Sequence, residues 1–234
     1  MNSQDIIKDV KKLANPKQAV FSQRFFKTQK GEYAEGDVFL GLTVPQGRLI
    51  AKKYYRDTPL SELVSLIKSP IHEHRFIALE ILVFKFENGS LNEKERAVQF
   101  YLRYTKYVNN WDLVDTSAPY ILGVWLIEKD RNILYKFARS QSLWERRIAI
   151  VSTLAFIRNS QFKDTLNIID ILLNDTHDLI HKATGWMLRE VGKKSESKLV
   201  SFLNIRYKRM PRTMLRYAIE RLSESQRKKY LSKK

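Results

Sequence analysis

Two tryptophans stand in polar stretches of the sequence, beside residues that can handle a positive charge. Trp111 lies in NNWDLVD, which also contains Asp115, and Trp186 lies in ATGWMLRE. An aromatic face attracts a nearby cation by about 0.5–2 kcal/mol. A carboxylate can stabilise a positive charge that develops during a reaction. These residue types favour a site that binds or forms a cation.

The same residues also have structural interpretations, which the sequence leaves open. Each tryptophan could fill the core of its own helical repeat. Asp115 shortly precedes Pro119, a pattern typical of a helix N-cap followed by proline in the first turn. Glu145 could simply pair with Arg146 or Arg147. The placement of the helices decides between these interpretations.

Metal and cofactor chemistry find little support in the residue pattern. The chain has no cysteine, which excludes thiolate catalysis, disulfides, cysteine-ligated zinc and cysteine-bound iron–sulfur clusters. His72-Glu73-His74 has no convincing third ligand nearby, so we expect exposed histidines rather than a metal site. Phosphate-binding glycine loops, nucleotide fingerprints and nucleophile elbows are missing. We expect neither a metal nor a cofactor.

The charge balance indicates a polyanionic partner. The 234 residues include 42 Lys and Arg against 25 Asp and Glu, and this net charge of +17 exceeds what solubility requires. Residues 201–234 hold eleven basic and two acidic residues, so the C-terminal end is strongly basic. From about residue 224 we expect a short basic tail. Nucleic acid is the first partner that such an excess indicates.

Helical periodicity dominates the chain. Apolar residues recur three and four positions apart, as in Phe76, Leu79 and Val83. Residues 27–47 hold four of the eight glycines and predict an ordered loop or a short irregular segment. Elsewhere we expect helices of about 10–18 residues. The breakers between them are Asn15-Pro16, Thr58-Pro59, Ser69-Pro70, Asn88-Gly89, Ala118-Pro119, Asn174-Asp175 and Met210-Pro211.

An internal repeat consists of an alanine that is preceded by a nearby basic residue and followed by leucine or methionine about one helical turn later. It occurs at Ala78, Ala149, Ala183 and Ala218, with gaps of 71, 34 and 35 residues, and the long gap leaves room for a copy near Asp115. A period of about 35 residues is typical of an α-solenoid of HEAT-like helical repeats. Stacked repeats would align their basic residues. We therefore expect an all-α curved superhelix with a basic concave face that follows a phosphate backbone.

The composition favours one domain over residues 1–234, since 44% of the residues are hydrophobic and can form one sizeable core. The N-terminal segment lacks the uninterrupted apolar stretch of a signal peptide. No run reaches the roughly 18 apolar residues that span a bilayer. We expect a cytoplasmic monomer that does not associate with membranes.

Three blocks of the sequence resemble the signature motifs of a known family. The blocks WDLVD, WERRIA and GWMLRE are similar, in order and spacing, to those of the bacterial AlkD-type DNA alkylation repair glycosylases. The resemblance runs from about residue 20 to about residue 220. It implies a horseshoe of HEAT-like repeats, in which two tryptophans, an aspartate and an arginine face the lesion in the concave cleft. The matching positions are Trp111, Trp186, Asp115 and Arg147.

The resemblance implies a monofunctional alkylpurine N-glycosylase that acts on N3- or N7-alkylated purines in duplex DNA without flipping the base. Such a base is already cationic, so the barrier lies in the oxocarbenium sugar that remains. Trp111 and Trp186 would give cation–π stabilisation, and Asp115 would stabilise the sugar cation and orient the attacking water. The product would be an abasic site, with no strand cleavage. DNA contacts are expected from Arg147, which would hold a backbone phosphate, and from Arg146, Lys182 and Arg189.

Two other functions stay open. One is a non-catalytic HEAT-repeat protein that binds damaged or branched DNA, and the other is a helical scaffold for acidic proteins. Phe25 stands near a position where some relatives carry tyrosine, and the segment from Gly31 to Asp37 marks a subfamily with its own substrate range. The resemblance implies a bacterial cytoplasmic protein that is associated with the nucleoid when bound to DNA.

Overall fold

The structure, a computed structural model, describes residues 2–232. These residues form an all-helical fold, as the periodicity predicts, and their one pairing of the β type is an isolated bridge between Val38 and Ile71. The chain divides into two compact units, residues 1–117 and residues 118–234. None of the described helices is both long enough and apolar enough to cross a membrane.

The first unit is built around one long, buried helix. This helix, α5, carries apolar residues on all faces and packs against α3, α4, α6 and α7. A turn of 3₁₀ helix at Thr105–Tyr107 precedes α7. The helices of this unit are α1 (Ser3–Lys12), α2 (Pro16–Phe25), α3 (Val44–Tyr54), α4 (Leu60–Ile67), α5 (His72–Asn88), α6 (Leu91–Arg103) and α7 (Trp111–Ser117).

The second unit has α12 at its centre, in contact with α9, α13 and α14. The unit begins with a π-helical turn at Pro119–Gly123. Its helices are α8 (Asn132–Ala138), α9 (Leu143–Ser152), α10 (Leu154–Arg158), α11 (Lys163–Leu172), α12 (Asp178–Lys194), α13 (Glu196–Arg206), α14 (Arg212–Ile219) and α15 (Glu224–Leu231). The prediction of a single domain over residues 1–234 stays a prediction.

Most of the predicted breakers separate helices. Asn15 caps α2, whose first residue is proline, and α5 ends just before Gly89. The break predicted at Ala118-Pro119 is present, because α7 ends at Ser117 and the π-helical turn begins at Pro119, although Ala118 between them keeps helical dihedral angles and its carbonyl accepts a hydrogen bond from the Gly123 amide at 2.9 Å. Proline is tolerated there because the first residue of a helical turn needs no amide donor. The helices are also shorter than predicted in places, down to the five residues of α10.

The glycine-rich segment remains irregular up to Thr43, and α3 begins at Val44. Gly41 has a φ of +87°, and a side chain there would overlap the backbone carbonyl of Asn15. The amide of Asn15 in turn donates to the carbonyl of Leu40 at 2.8 Å. Glycine therefore lets this segment lie directly on the start of α2.

The four repeat alanines are all buried and lie on α5, α9, α12 and α14. Three of these helices pack side by side in the second unit, where α12 contacts both α9 and α14. The residues from about 224, predicted as a basic tail, form α15 as far as the structure describes them. The ring of Tyr230 on this helix is buried, and its hydroxyl donates to Asn204 at 2.9 Å.

Gly185→Ala should destabilise the second unit. An added Cβ would lie 2.5 Å from the Cβ of Tyr217 and 2.6 Å from the carbonyl oxygen of Met214, both on α14. Because backbone atoms cannot yield cheaply, we expect a loss of about 1–3 kcal/mol in the free energy of unfolding, despite the better helix propensity of alanine. Urea unfolding measures this loss, with the exposed Ser201→Ala on α13 as control. An equal or higher stability for Gly185→Ala would contradict the close packing of α12 on α14.

Candidate functional site

Trp111 is the first residue of α7, and its ring is half-buried within an aromatic cluster. The indole stacks on Phe26 with a centroid distance of 5.2 Å and an interplanar angle of 17°, and it meets Phe25 edge-on at 5.9 Å. Phe26 stacks in turn on the buried Phe39 at 4.9 Å. Phe25 itself is 55% exposed. The cluster thus has a buried side and a side that is open to a ligand.

The buried end of this cluster is His72, which stacks on Phe39 at a centroid distance of 4.5 Å. Its Nε2 lies 2.8 Å from the Asp112 carboxylate, and its Nδ1 lies 3.3 Å from that of Asp37. Burial alone would lower the pKa of His72, but Asp112 and Asp37 outweigh it and raise the pKa to about 9. His72 is therefore a buried imidazolium at neutral pH.

The prediction of exposed histidines in His72-Glu73-His74 is wrong, because all three side chains are buried. Glu73 accepts hydrogen bonds from the amides of Leu40, Gly41 and Leu42 at 2.7–3.2 Å, and His74 Nδ1 lies 2.9 Å from the hydroxyl of Ser69. The motif connects α5 to the segments around it. Within residues 2–232, His, Asp and Glu side chains form no group of three or more that could hold a metal.

Asp37 is the second buried charge of this network. Its carboxylate lies 2.7 Å from the guanidinium of Arg75 and accepts from the amide of Asn110 at 3.4 Å. Burial alone would raise the pKa of Asp37, but His72, Arg75 and Asn110 together hold it below its usual range. The network therefore joins the irregular segment after α2, the start of α5 and the start of α7.

The protein should lose stability as the pH rises above neutrality. The pKa of His72 is about 9 in the folded protein against an ordinary 6.5, so its contribution is full below about pH 6.5 and is lost as the pH rises through about 9. The loss should be on the order of 3 kcal/mol. Urea unfolding at about pH 6 and about pH 10 measures it. His72→Phe should remove most of the difference, and an unchanged difference in that variant would contradict the assignment to His72.

Asp115 lies one turn after Trp111 on α7, so the two side chains share a face of the helix. Its side chain is half-buried. The N-cap interpretation of Asp115 is wrong, because the residue lies inside α7 rather than at a helix start. Burial raises the pKa of the nearby Tyr101 phenol, and the negative charge of Asp115 raises it further. The hydrogen bond with Ser117 acts in the opposite direction but does not outweigh them.

The remaining predicted site residues lie in the second unit. Trp186 is half-buried on α12, and Arg147 on α9 is buried and donates to the carbonyl of Leu179 at 2.6 Å. The other three basic residues form ion pairs: Arg146 with Asp175 at 2.6 Å, Lys182 with Asp178 at 2.7 Å, and Arg189 with Glu220. That Trp111, Asp115, Trp186 and Arg147 face one cleft stays a prediction, as do the DNA contacts of the basic residues.

Comparison with known proteins decides the family. A sequence model of the family described as "DNA alkylation repair enzyme" matches residues 6–222. The chain belongs to this family. Its resemblance to DNA alkylation repair proteins is thereby confirmed, and the family is one of enzymes.

A solved structure described as "Predicted DNA alkylation repair enzyme from Enterococcus faecalis" has a similar fold, with a TM-score of 0.70. The two sequences are 18% identical, and the similarity covers 90% of this chain and 97% of that one. At this identity the likeness establishes the fold alone. No curated protein matches the chain.

Sequence reasoning missed four residues that shape the candidate site: Phe26, Phe39, Asp37 and His72. Asp37 precedes His72 by 35 residues, and Asp112 follows it by 40, so no local pattern connects them. One sequence signal could have identified His72: it is a histidine at the start of an apolar helix, and no convincing third metal ligand stands near it in the sequence. Such a histidine is expected to be buried against a carboxylate.

Proposed function

We propose that this chain is a DNA glycosylase that hydrolyses the N-glycosidic bond of N3- or N7-alkylated purines in duplex DNA. Its family supports an enzyme that acts on alkylated DNA. The observation that carries the proposal is the arrangement on α7, where the half-buried indole of Trp111 packs on Phe26 and Asp115 follows one turn later. An aromatic face and a carboxylate are thereby offered to one ligand.

The reaction breaks the bond between C1′ of the sugar and the base nitrogen. The alkylated base carries a positive charge, so it leaves as a neutral molecule with the electron pair of that bond and needs no general acid. The charge remains on the sugar as an oxocarbenium ion. A water molecule then adds to C1′, and its proton passes to the Asp115 carboxylate and from there to solvent. An abasic site results, and the strand stays intact.

Trp111 and Asp115 have separate roles in this scheme. The indole face stabilises the cationic nucleotide by about 0.5–2 kcal/mol, and its contact with Phe26 limits its freedom before the substrate binds. Asp115 stabilises the sugar cation and orients the water, so one carboxylate serves both the departure of the base and the addition of water. Neither role requires a metal or a covalent intermediate.

The second unit would supply a further aromatic face and contacts to the DNA backbone. Trp186 is half-buried and could contact the nucleotide, and Arg147 is assigned to a phosphate by the family resemblance. Because Arg147 is buried and bonded to Leu179, a phosphate would have to reach it beside the start of α12. The curved HEAT-like superhelix with a basic concave face is part of this proposal, together with Arg146, Lys182 and Arg189 as further phosphate contacts.

The test is release of free base from a methylated duplex. We expect free 7-methylguanine to separate from the DNA. Strand breaks should appear only after alkali treatment of the abasic product. An unmethylated duplex of the same sequence is the substrate control. Trp111→Ala should lower single-turnover release by up to about 30-fold, the equivalent of 2 kcal/mol. Tight duplex binding without release of either 7-methylguanine or 3-methyladenine would favour a non-catalytic DNA-binding protein.

A further inference from the structure

A continuous stack of four rings connects the half-buried Trp111 to the buried His72. Phe26 lies on Trp111, Phe39 lies on Phe26, and His72 lies on Phe39, with interplanar angles of 17°, 18° and 22°. His72 also contacts Phe26 directly, at a centroid distance of 5.1 Å. Each such contact is favourable beyond simple burial, because offset ring faces attract each other. A change in the placement of the His72 ring would therefore be transmitted to the indole.

Hydrogen bonds fix the buried end of this stack. Asp112 directly follows Trp111, and one of its carboxylate oxygens accepts from His72 while the other accepts from the Leu113 amide at 2.8 Å. The same carboxylate thus holds both the first turn of α7 and the imidazole. His72 reaches Trp111 by two routes, one through the rings and one through the backbone of α7.

The short helix needs such support. α7 has seven residues, and helices of this length do not persist on their own in water. We propose that His72 is a positioning residue for Trp111, and that its stack on Phe39 and its bond to Asp112 fix the plane and reach of the indole in the site. The role in catalysis rests on the proposed function, whereas the placement of the ring does not.

Charged groups on three segments face His72. Asp37 approaches from the irregular segment after α2 and Asp112 from α7, and Arg75 on α5 opposes the imidazolium but is itself paired with Asp37. The neighbouring Glu73 is occupied by backbone amides. Both ring nitrogens of His72 therefore point at carboxylates, an arrangement that a neutral imidazole with a single donor cannot satisfy.

Three variants separate positioning from general destabilisation. His72→Phe keeps a ring in the stack but removes both donors, and Asp112→Asn keeps the size and the acceptor for Leu113 while removing the charge. Glu80→Gln is the matched control. Glu80 is a buried carboxylate on α5, the helix of His72, but it pairs with Arg48 at 3.2 Å and lies outside the ring stack.

The first readout is fluorine NMR of protein labelled with fluorotryptophan, in which loss of one signal in Trp111→Phe assigns the Trp111 resonance. In His72→Phe and Asp112→Asn we expect this resonance to shift or broaden, while those of the other three tryptophans and the Glu80→Gln spectrum stay unchanged. In the wild type it should move as the pH passes through about 9. If His72→Phe does not fold, Asp112→Asn and the pH titration decide whether His72 positions Trp111. An unmoved Trp111 resonance under these changes would overturn the proposal.

The second readout is single-turnover release of the alkylated base. Mispositioning the indole cannot cost more than removing it, so we expect Asp112→Asn to lose up to about 30-fold in rate, the limit set by Trp111→Ala, with duplex affinity nearly unchanged. Glu80→Gln should keep the wild-type rate. A displaced Trp111 signal with no loss of rate would overturn the role of His72 in catalysis. If the wild type releases no base, the glycosylase proposal fails, and the NMR result still decides whether His72 positions Trp111.

Discussion

Affinity for undamaged duplex DNA is expected to fall by about 10³-fold or more as salt rises from about 50 mM to about 200 mM. The net charge of +17 provides enough cations for six or more phosphate contacts. Each contact releases a condensed counterion from the DNA, which favours binding. Added salt opposes this release by mass action and therefore weakens the affinity. Fluorescence anisotropy of a labelled duplex over this range gives the slope of log affinity against log salt, which should be close to −0.9 per neutralised phosphate.

A point variant tests whether a basic residue of the internal repeat contributes to this salt dependence. Arg216 is exposed on α14 and shortly precedes the repeat residue Ala218, so Arg216→Gln should reduce the slope by about one unit. The control is Lys198→Gln, which removes an exposed charge on α13, a helix without a repeat alanine. A flat response to salt in the wild type would favour a scaffold for acidic proteins.

Helix positions could be predicted from the sequence because the rules that set them are local. Apolar spacing predicts the buried α5, and asparagine before proline predicts the start of α2. The same rules predict the break before Pro119, because proline is favoured in the first turn of a helical segment. Local sequence does not predict the helical dihedral angles of Ala118, which connect α7 to the π-helical turn without a loop.

The candidate site was predictable only in part, for the same reason. Trp111 and Asp115 belong to one short motif, and their spacing along a helix brings them to one face. The groups that support Trp111 come from elsewhere in the chain. Phe26 directly follows the last residue of α2, and His72 is the first residue of α5. Contacts over such separations depend on how helices pack, and periodicity does not determine that. His72 was therefore predicted as exposed, although its partners make it one of the most buried charges of the first unit.

Asp115→Asn should lower single-turnover release of 7-methylguanine by roughly 10²-fold or more, the usual loss for one preorganised electrostatic group. The substitution keeps the size of the side chain and much of its hydrogen-bonding capacity but removes the negative charge that is proposed to stabilise the sugar cation. Because Asp115 lies inside α7 and is half-buried, the melting temperature should change little. Release is measured with enzyme in excess over substrate, so that product dissociation does not limit the rate.

The matched control for the change in net charge is Glu95→Gln, which removes an exposed carboxylate on α6 of the same unit. Both variants become more basic by one charge, so both should bind duplex DNA as well as the wild type or slightly better, and only Asp115→Asn should lose release. Asp115→Ala extends the test. A catalytic carboxylate loses activity in both variants, because neither alanine nor asparagine carries a negative charge. Near-native release by Asp115→Asn, in a protein whose wild type is active, would exclude Asp115 from the chemistry and leave the sugar cation to be stabilised by the tryptophan rings and the phosphates of the DNA itself.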